Sequence, residues 1–208
     1  VNKRSIIYVD GFNFYYGTVR GTSHKWLNLE RLFERLRPDD EIQVIHYFTA
    51  LVAGSHRPNQ ECYLRALATL PKVNVILGKF KTRQIKCRVR ACQHRGSRIF
   101  DATEEKRTDV NIALQMLDDV HHDRTERIIL VNGDSDLVPA VDLVKKESPK
   151  TQVLVYVPSR NPIRGAAVEL RSAADKNKTF PLQLLPLSQF PSEVQDGRGG
   201  VIKKPASW

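Results

Sequence analysis

This sequence predicts an α/β protein, an open and mainly parallel sheet with helices on both faces. Two observations carry the prediction. Short β-branched apolar segments alternate along the chain with segments whose apolar residues recur every three or four positions, as strands joined by crossover helices require. The strand-like segments are also apolar almost without interruption, as in Ile6-Ile7-Tyr8-Val9 and Val153-Leu154-Val155-Tyr156-Val157. That is the pattern of strands covered on both sides.

Taken in order, Ser5 to Val9 is the first strand, closing at Asp10-Gly11, and a helical stretch follows. Leu29, Leu32, Phe33 and Leu36 mark the next helix by their spacing, and Pro38 stops it. Ile42 to Phe48 is a second strand. Asn59 to Leu70 is helical, with Leu64, Leu67 and Ala68 on one face, and Val73 to Leu77 is a third strand. Residues 79–100 show no clean period and read as a loop or hairpin excursion. Thr103 reads as the cap of a helix over Lys106 to Val120, where Val110, Ala113, Leu114 and Leu117 keep helical spacing. Lys106 stands where a capping box would have Glu. Arg127 to Val131 is a fourth strand, broken at Asn132-Gly133-Asp134. Leu137 to Val144 is helical, Gln152 to Val157 a fifth strand, and Gly165 to Ala174 a last helix. Beyond Pro191, three glycines in a polar mix predict a flexible tail. The expected organisation is one domain over residues 1–191, a basic insert at about 79–100, and a tail over 192–208.

Composition narrows the function classes. The 208 residues are 41% hydrophobic and 27% charged, which excludes a disordered, fibrous or membrane-spanning polypeptide. The longest apolar runs are strand-sized, short of the ~20 residues of a membrane span. Asp10 interrupts the first apolar run, so there is no secretory h-region. Three cysteines are too few for a disulfide framework and predict a reducing, cytoplasmic setting. A formal net charge of +10 favours a polyanionic partner such as nucleic acid. The charge is also segregated. Between Lys79 and Arg98 the chain carries Lys81, Arg83, Lys86, Arg88 and Arg90 among its eight cations and no acid, whereas Asp101 to Asp142 is rich in acids. A phosphate-gripping surface beside a cation site would look like this.

In an open parallel sheet, ligands sit at the carboxyl ends of the strands, where strand order reverses. Asp10 ends strand one, and Asp134 and Asp136 follow strand four. Glu105 and Asp109, four residues apart, would share a helix face just before it. If strands one and four are neighbours, these carboxylates converge, and a hard cation such as Mg²⁺ or Mn²⁺ relieves their repulsion. Each acid alone also reads as a turn, a cap or a solvated face; their joint placement favours a metal site. Gly-x-Gly-x-x-Gly, Gly-x4-Gly-Lys-Ser/Thr, His-Glu-x-x-His and Gly-x-Ser-x-Gly are all absent.

Three segments, Tyr-Val-Asp-Gly-Phe-Asn-Phe (8–14), Glu-Glu-Lys-Arg-Thr-Asp-Val-Asn-Ile-Ala (104–113) and Leu-Val-Asn-Gly-Asp-Ser-Asp-Leu-Val-Pro (130–139), resemble in order and spacing the signatures of the NYN domain, a PIN-like nuclease family. The resemblance covers residues 4–191. It implies a Rossmann-like fold and an Mg²⁺- or Mn²⁺-dependent ribonuclease leaving 5′-phosphate and 3′-hydroxyl ends. It assigns metal holding to Asp10, Asp109, Asp134 and Asp136, and phosphate or carboxylate contact to Asn13. Glu105, Lys106 and Ser135 stand as supporting residues. The partner is RNA, with Lys81, Arg83, Lys86, Arg88 and Arg90 expected on its backbone, and no membrane is involved. Cys87, Cys92 and His94 invite a structural Zn²⁺ reading. They fall short of the paired Cys-x2-Cys pattern and would need a fourth ligand from His56, Cys62 or a second chain of a homo-oligomer. Tyr15, Tyr16 and Trp26 read either as base-stacking rings or as core. A non-catalytic RNA-binding adapter and a DNA or structure-specific nuclease are the alternatives.

Overall fold

The computed structural model describes residues 2–160, 167–197 and 199–208. Strand β1 (Lys3–Asp10) passes into a short helix α1 (Gly11–Phe14), which runs on into a π-helical turn at Tyr15–Val19. Then come α2 (Leu29–Leu36), β2 (Asp40–Thr49), α3 (Arg57–Leu67), β3 (Val73–Leu77), β4 (Lys79–Lys86), β5 (Ile99–Lys106) and α4 (Thr108–His121). The second half holds β6 (Arg127–Val131), a 3₁₀ turn at Ser135–Leu137, α5 (Val138–Glu147), β7 (Gln152–Val157), α6 (Val168–Ala173), β8 (Lys176–Thr179), β9 (Glu193–Gln195) and β10 (Val201–Lys203).

Six strands form one sheet in the order β3-β2-β1-β6-β7-β8, with every neighbouring pair parallel. The α/β fold expected from the sequence is therefore present, and strand order reverses between β1 and β6. Alternation along β1 explains its unbroken apolar run. Ile7 and Val9 join one core with Phe14, Leu29, Phe33 and Tyr63, while Ile6 and Tyr8 join another with Ile112, Met116, Val141 and Val144. At the amino ends of the strands the buried Asp40 carboxylate accepts from Ser5 Oγ at 2.9 Å, from Arg37 at 2.9 and 3.1 Å, and from the Arg127 guanidinium. This ties β1, β2 and β6 together at one edge and leaves the carboxyl edge free for chemistry.

Three expectations need correction. Thr103 caps no helix, because residues 99–106 pair antiparallel with β4, from Lys79↔Lys106 to Lys86↔Ile99. The chain turns at Arg107, whose φ of 82° lies in the left-handed region, and α4 begins only at Thr108. The excursion is thus a hairpin that runs six residues past the expected boundary. The tail is not free over its described residues: β9 and β10 pair, Val194 and Ile202 are buried, and Trp208 packs at 5.7 Å from Tyr63 and 6.3 Å from Trp26. Three apolar side chains this far apart leave no local period, yet together they cover one side of α3. The polar Lys-Asn-Lys-Thr of β8 adds an edge strand that carries no apolar signal. The expected start of α6 at Gly165 lies outside the described residues.

Candidate metal centre

Asp10 closes β1, and its carboxylate caps α1 by accepting the Asn13 N–H at 2.9 Å. The residue after it must be glycine. A Cβ on Gly11 would lie 2.7 Å from the Phe48 carbonyl oxygen and 2.7 Å from the Tyr47 ring. β6 is followed by the buried Asn132, whose side-chain oxygen accepts the N–H groups of Gly133 at 2.6 Å and Asp134 at 2.8 Å. The Asn132 amide donates to the other Asp10 oxygen at 3.2 Å. One side chain thereby fixes the loop after β6 and the acid after β1. Sequence reasoning missed Asn132 as a functional residue; its only local signal is an Asn directly after a buried strand.

Asp134 begins the 3₁₀ turn and accepts the Asp136 N–H at 3.1 Å, so it is a cap as well as an acid. Asp109 stands in the first turn of α4. The carboxylates of Asp109, Asp134 and Asp136 offer oxygens that all lie within 4.8 Å of one another. Among the described residues this is the group of acids, histidines or cysteines with metal-ligand spacing. Asp10 falls outside that triad but lines the same cavity of about 540 Å³, together with Asn13, Glu105, Asp109 and Asp134.

Glu105 reaches the cavity for a reason different from the one expected. On strand β5, side chains alternate between faces, so Glu105 points to the acids while Glu104 and Lys106 point away. Lys106 Nζ pairs with Glu104 at 2.8 Å on that outer face and does not line the cavity. Thr108 Oγ1 donates to Glu105. Ser135 is exposed, in a neighbouring recess shared with Asp134 and Glu169.

Charge crowding shows in the acids. Burial, with Asp109 and Asp134 nearby, pushes the Asp10 carboxyl up to about 6. Burial, with Asp10 and Asp109, pushes Glu105 up to about 7. Asp109 is raised by burial and by Asp134 and Asp136. A cluster of hard oxygen donors at this spacing, with Asp10, Glu105 and Asp109 destabilised as anions by burial and by neighbouring carboxylates, fits a hard divalent cation such as Mg²⁺ or Mn²⁺.

A pH dependence follows for the metal-free protein. These folded-state values lie above the ordinary range near 4, so between about pH 4 and 7 the native state binds more protons than the unfolded chain. The stabilising contribution is full below pH 4 and is lost as pH rises through 6–7. The melting temperature in EDTA is expected to fall by several degrees from pH 5 to pH 8, and Mn²⁺ is expected to reverse much of the fall. A flat EDTA profile would remove the crowding argument.

The other expected residues separate. Lys81, Arg83, Lys86, Arg88 and Arg90 are exposed on or beyond β4, but they do not form one face. Lys81 and Arg83 share the outer face with Glu104, to which Arg83 is bonded, whereas Lys86 is on the opposite face. Cys87, Cys92 and His94 lie outside the grouping that metal spacing requires, and all three cysteines are unpaired thiols. The zinc reading has no support among the described residues. Trp26 is fully buried and its Nε1 donates to the Pro191 carbonyl at 2.8 Å, so it is core. Tyr16 is 57% exposed and lines the acid cavity.

The family model of the NYN domain matches residues 4–181. A relative 32% identical over 237 aligned positions is the 6-hydroxy-3-succinoylpyridine 3-monooxygenase HspA of Pseudomonas putida; the match covers 99% of this chain and 75% of that protein. Among solved structures, a protein of unknown function from Vibrio parahaemolyticus superposes with a TM-score of 0.55 over 86% of this chain and 94% of its own, at 18% identity. That likeness concerns the fold alone.

Proposed function

The chain belongs to the NYN domain family, and from that premise we propose that it is a divalent-metal-dependent ribonuclease. The observation that carries this reading is the convergence of Asp109, Asp134 and Asp136 at the strand-order reversal, with Asp10 held beside them. Asp109, Asp134 and Asp136 would hold Mg²⁺ or Mn²⁺, and Asp10 would complete the site. Such a cation lowers the pKa of a bound water and offsets charge on the phosphate. The protein's own part is positional. Asn132 and the Asn13 N–H fix both oxygens of Asp10, so its remaining lone pairs face a set direction. Asn13 lines the cavity where it can contact the scissile phosphate. Glu105, raised to about 7 by burial and by Asp10 and Asp109, would ionise more readily with a cation held beside it.

The deciding experiment incubates the protein with labelled RNA and DNA in Mg²⁺, Mn²⁺ or EDTA. RNA cleavage in Mn²⁺ that stops in EDTA is expected. RNA bound but left intact supports the adapter reading, and equal cleavage of DNA supports a general nuclease. The setting we propose is cytoplasmic, in keeping with three unpaired thiols. Among the described residues no helix is long and apolar enough to cross a membrane.

The β4–β5 hairpin supplies the second test. Replacing Arg83, Lys86, Arg88 and Arg90 together by Ser is expected to weaken RNA binding and flatten its salt dependence. On single strands the log–log slope falls by about 0.7 for each phosphate that is no longer neutralised. Because Arg83 is engaged by Glu104, the change is expected to correspond to two or three phosphates rather than four. An unchanged slope would place the hairpin outside the interface.

A second reading rests on the Pseudomonas relative, whose name specifies a monooxygenase acting on a substituted pyridine. What favours it here is an aromatic-lined cavity of about 310 Å³ next to the acids, of a size that admits a planar ring. Oxygen uptake that requires both a two-electron reductant and a hydroxylated pyridine would favour this reading over RNA hydrolysis.

A further inference from the structure

A second cavity adjoins the acid site, and Phe12 and Tyr16 line both. It encloses about 310 Å³, at the lower end of the range for small-ligand pockets. Its walls are rings from distant parts of the chain: Tyr15 and Tyr16 after α1, Tyr47 from β2, Tyr63 from α3, and Trp208. The rings face one another mostly edge-on. Tyr47 and Tyr63 are 6.4 Å apart at 87°, and Tyr15 and Tyr16 are 5.4 Å apart at 77°. Tyr47 and Tyr63 are buried and form the floor, so the rings a planar guest can reach are those of the exposed Tyr16 and the half-buried Trp208.

The charge of the two cavities is opposite. No Asp or Glu lines the aromatic one, whereas Arg20, Lys25 and His56 do. Arg20 stands 5.2 Å over the Tyr16 ring and Lys25 Nζ 6.0 Å from the Trp208 ring centre. A chain that places one phosphate at the acid cluster would have ring faces for a base and cations for a further phosphate in the adjoining cavity. Gln60 is not free to read that base, because its amide is bonded to the Val52 N–H and the Ala50 carbonyl.

We infer that this cavity is a nucleobase site that stacks the base next to the scissile phosphate with little base preference. This rests on the nuclease reading of the adjoining acids. It assigns Tyr16 a substrate-positioning part, shared between the two cavities, and makes Trp208 a wall of the binding site. Stacking on aromatic side chains has the required tolerance, since every base presents a π-face.

The test is a fluorescence titration in Ca²⁺ buffer with a short single-stranded RNA and with the same RNA made abasic at each position in turn. Base-dependent quenching of Trp208 is expected, and one abasic position is expected to bind about tenfold more weakly. Trp208→Phe is expected to abolish the quench, leaving the buried Trp26 as background. Tyr16→Ala is expected to erase the difference between intact and abasic RNA, and Tyr16→Trp to restore it. Equal binding of every abasic RNA, or a quench that survives Trp208→Phe, overturns the inference. A parallel cleavage assay in Mn²⁺ separates it from the nuclease reading. Base-dependent quenching without cleavage keeps the base site and removes the nuclease. Equal binding and cleavage of intact and abasic RNA keeps the nuclease and removes the base site.

Discussion

Asp134→Asn is expected to lower Mn²⁺-dependent cleavage by about 100-fold or more, the scale on which removal of one preorganised electrostatic group acts. The same substitution is expected to leave the melting temperature in EDTA unchanged or higher. Two features of the structure separate these outcomes. The Asp134 side chain caps the 3₁₀ turn through the Asp136 N–H, and an Asn oxygen accepts that bond equally well. Meanwhile Asp134 contributes to the raised values of Asp109 and Asp10, so removing its charge relieves repulsion. Mn²⁺ at a hundred times its dissociation constant would stabilise the wild type by about 2.7 kcal/mol. The variant should gain much less. Melting curves at pH 8 with EDTA and with Mn²⁺, beside a cleavage assay, make the comparison. If the variant keeps both the wild-type rate and the wild-type Mn²⁺ shift, Asp134 holds no metal.

The largest stability effect is expected far from the acid cavity, at Asp119 on α4. This carboxylate is almost completely buried, and it accepts from Tyr8 OH at 2.8 Å, Arg124 Nη1 at 2.9 Å and Gln115 Nε2 at 3.2 Å. His46 Nε2 lies 3.4 Å away, and the Asn74 amide nitrogen, 3.2 Å from Nδ1, leaves the ring proton on the side of the carboxylate. These contacts pull Asp119 down to about 2 against the opposing effect of burial. Asp119→Ala leaves the buried Tyr8 OH without its acceptor and removes the carboxylate beside His46, and is expected to cost about 2–4 kcal/mol. That corresponds to a fall in melting temperature of about 10 °C. Asp119→Asn should cost less, since it keeps an acceptor and the exposed Arg124 is not buried by the change. The sign with pH is the reverse of the acid cluster. A depressed carboxylate contributes fully above about pH 4 and loses its contribution as pH falls toward 2, so the gap between wild type and Asp119→Ala should close in acid. A melting temperature within about 2 °C of wild type at pH 7 would show that the network is dispensable.

Legibility differed from place to place for physical reasons. β3, β6 and β7 match their expected limits residue for residue, because a buried strand writes its identity in its own apolar run. Asp10, Asp134 and Asp136 could be placed at strand ends for the same reason. Glu105 lies beside the other acids as expected, but on strand β5 and not on a helix. Helical spacing begins only near Val110, and Thr103 to Lys106 answer instead to β4, some twenty positions earlier.

Local pattern and residue chemistry thus settled the α/β class and the limits of three buried strands, and put Asp10 and Asp134 at strand ends, since each depends on a few neighbours in the chain. The tertiary structure alone decided which acids meet, how Asn132 bridges β6 to Asp10, and why Glu105 faces inward while Lys106 faces out. It also decided that Trp208 closes an aromatic cavity built on Tyr16, Tyr47 and Tyr63. Most of these depend on contacts between residues tens to nearly two hundred positions apart. No local period encodes such contacts; burial and hydrogen bonding select them only once the sheet has brought its strand ends together.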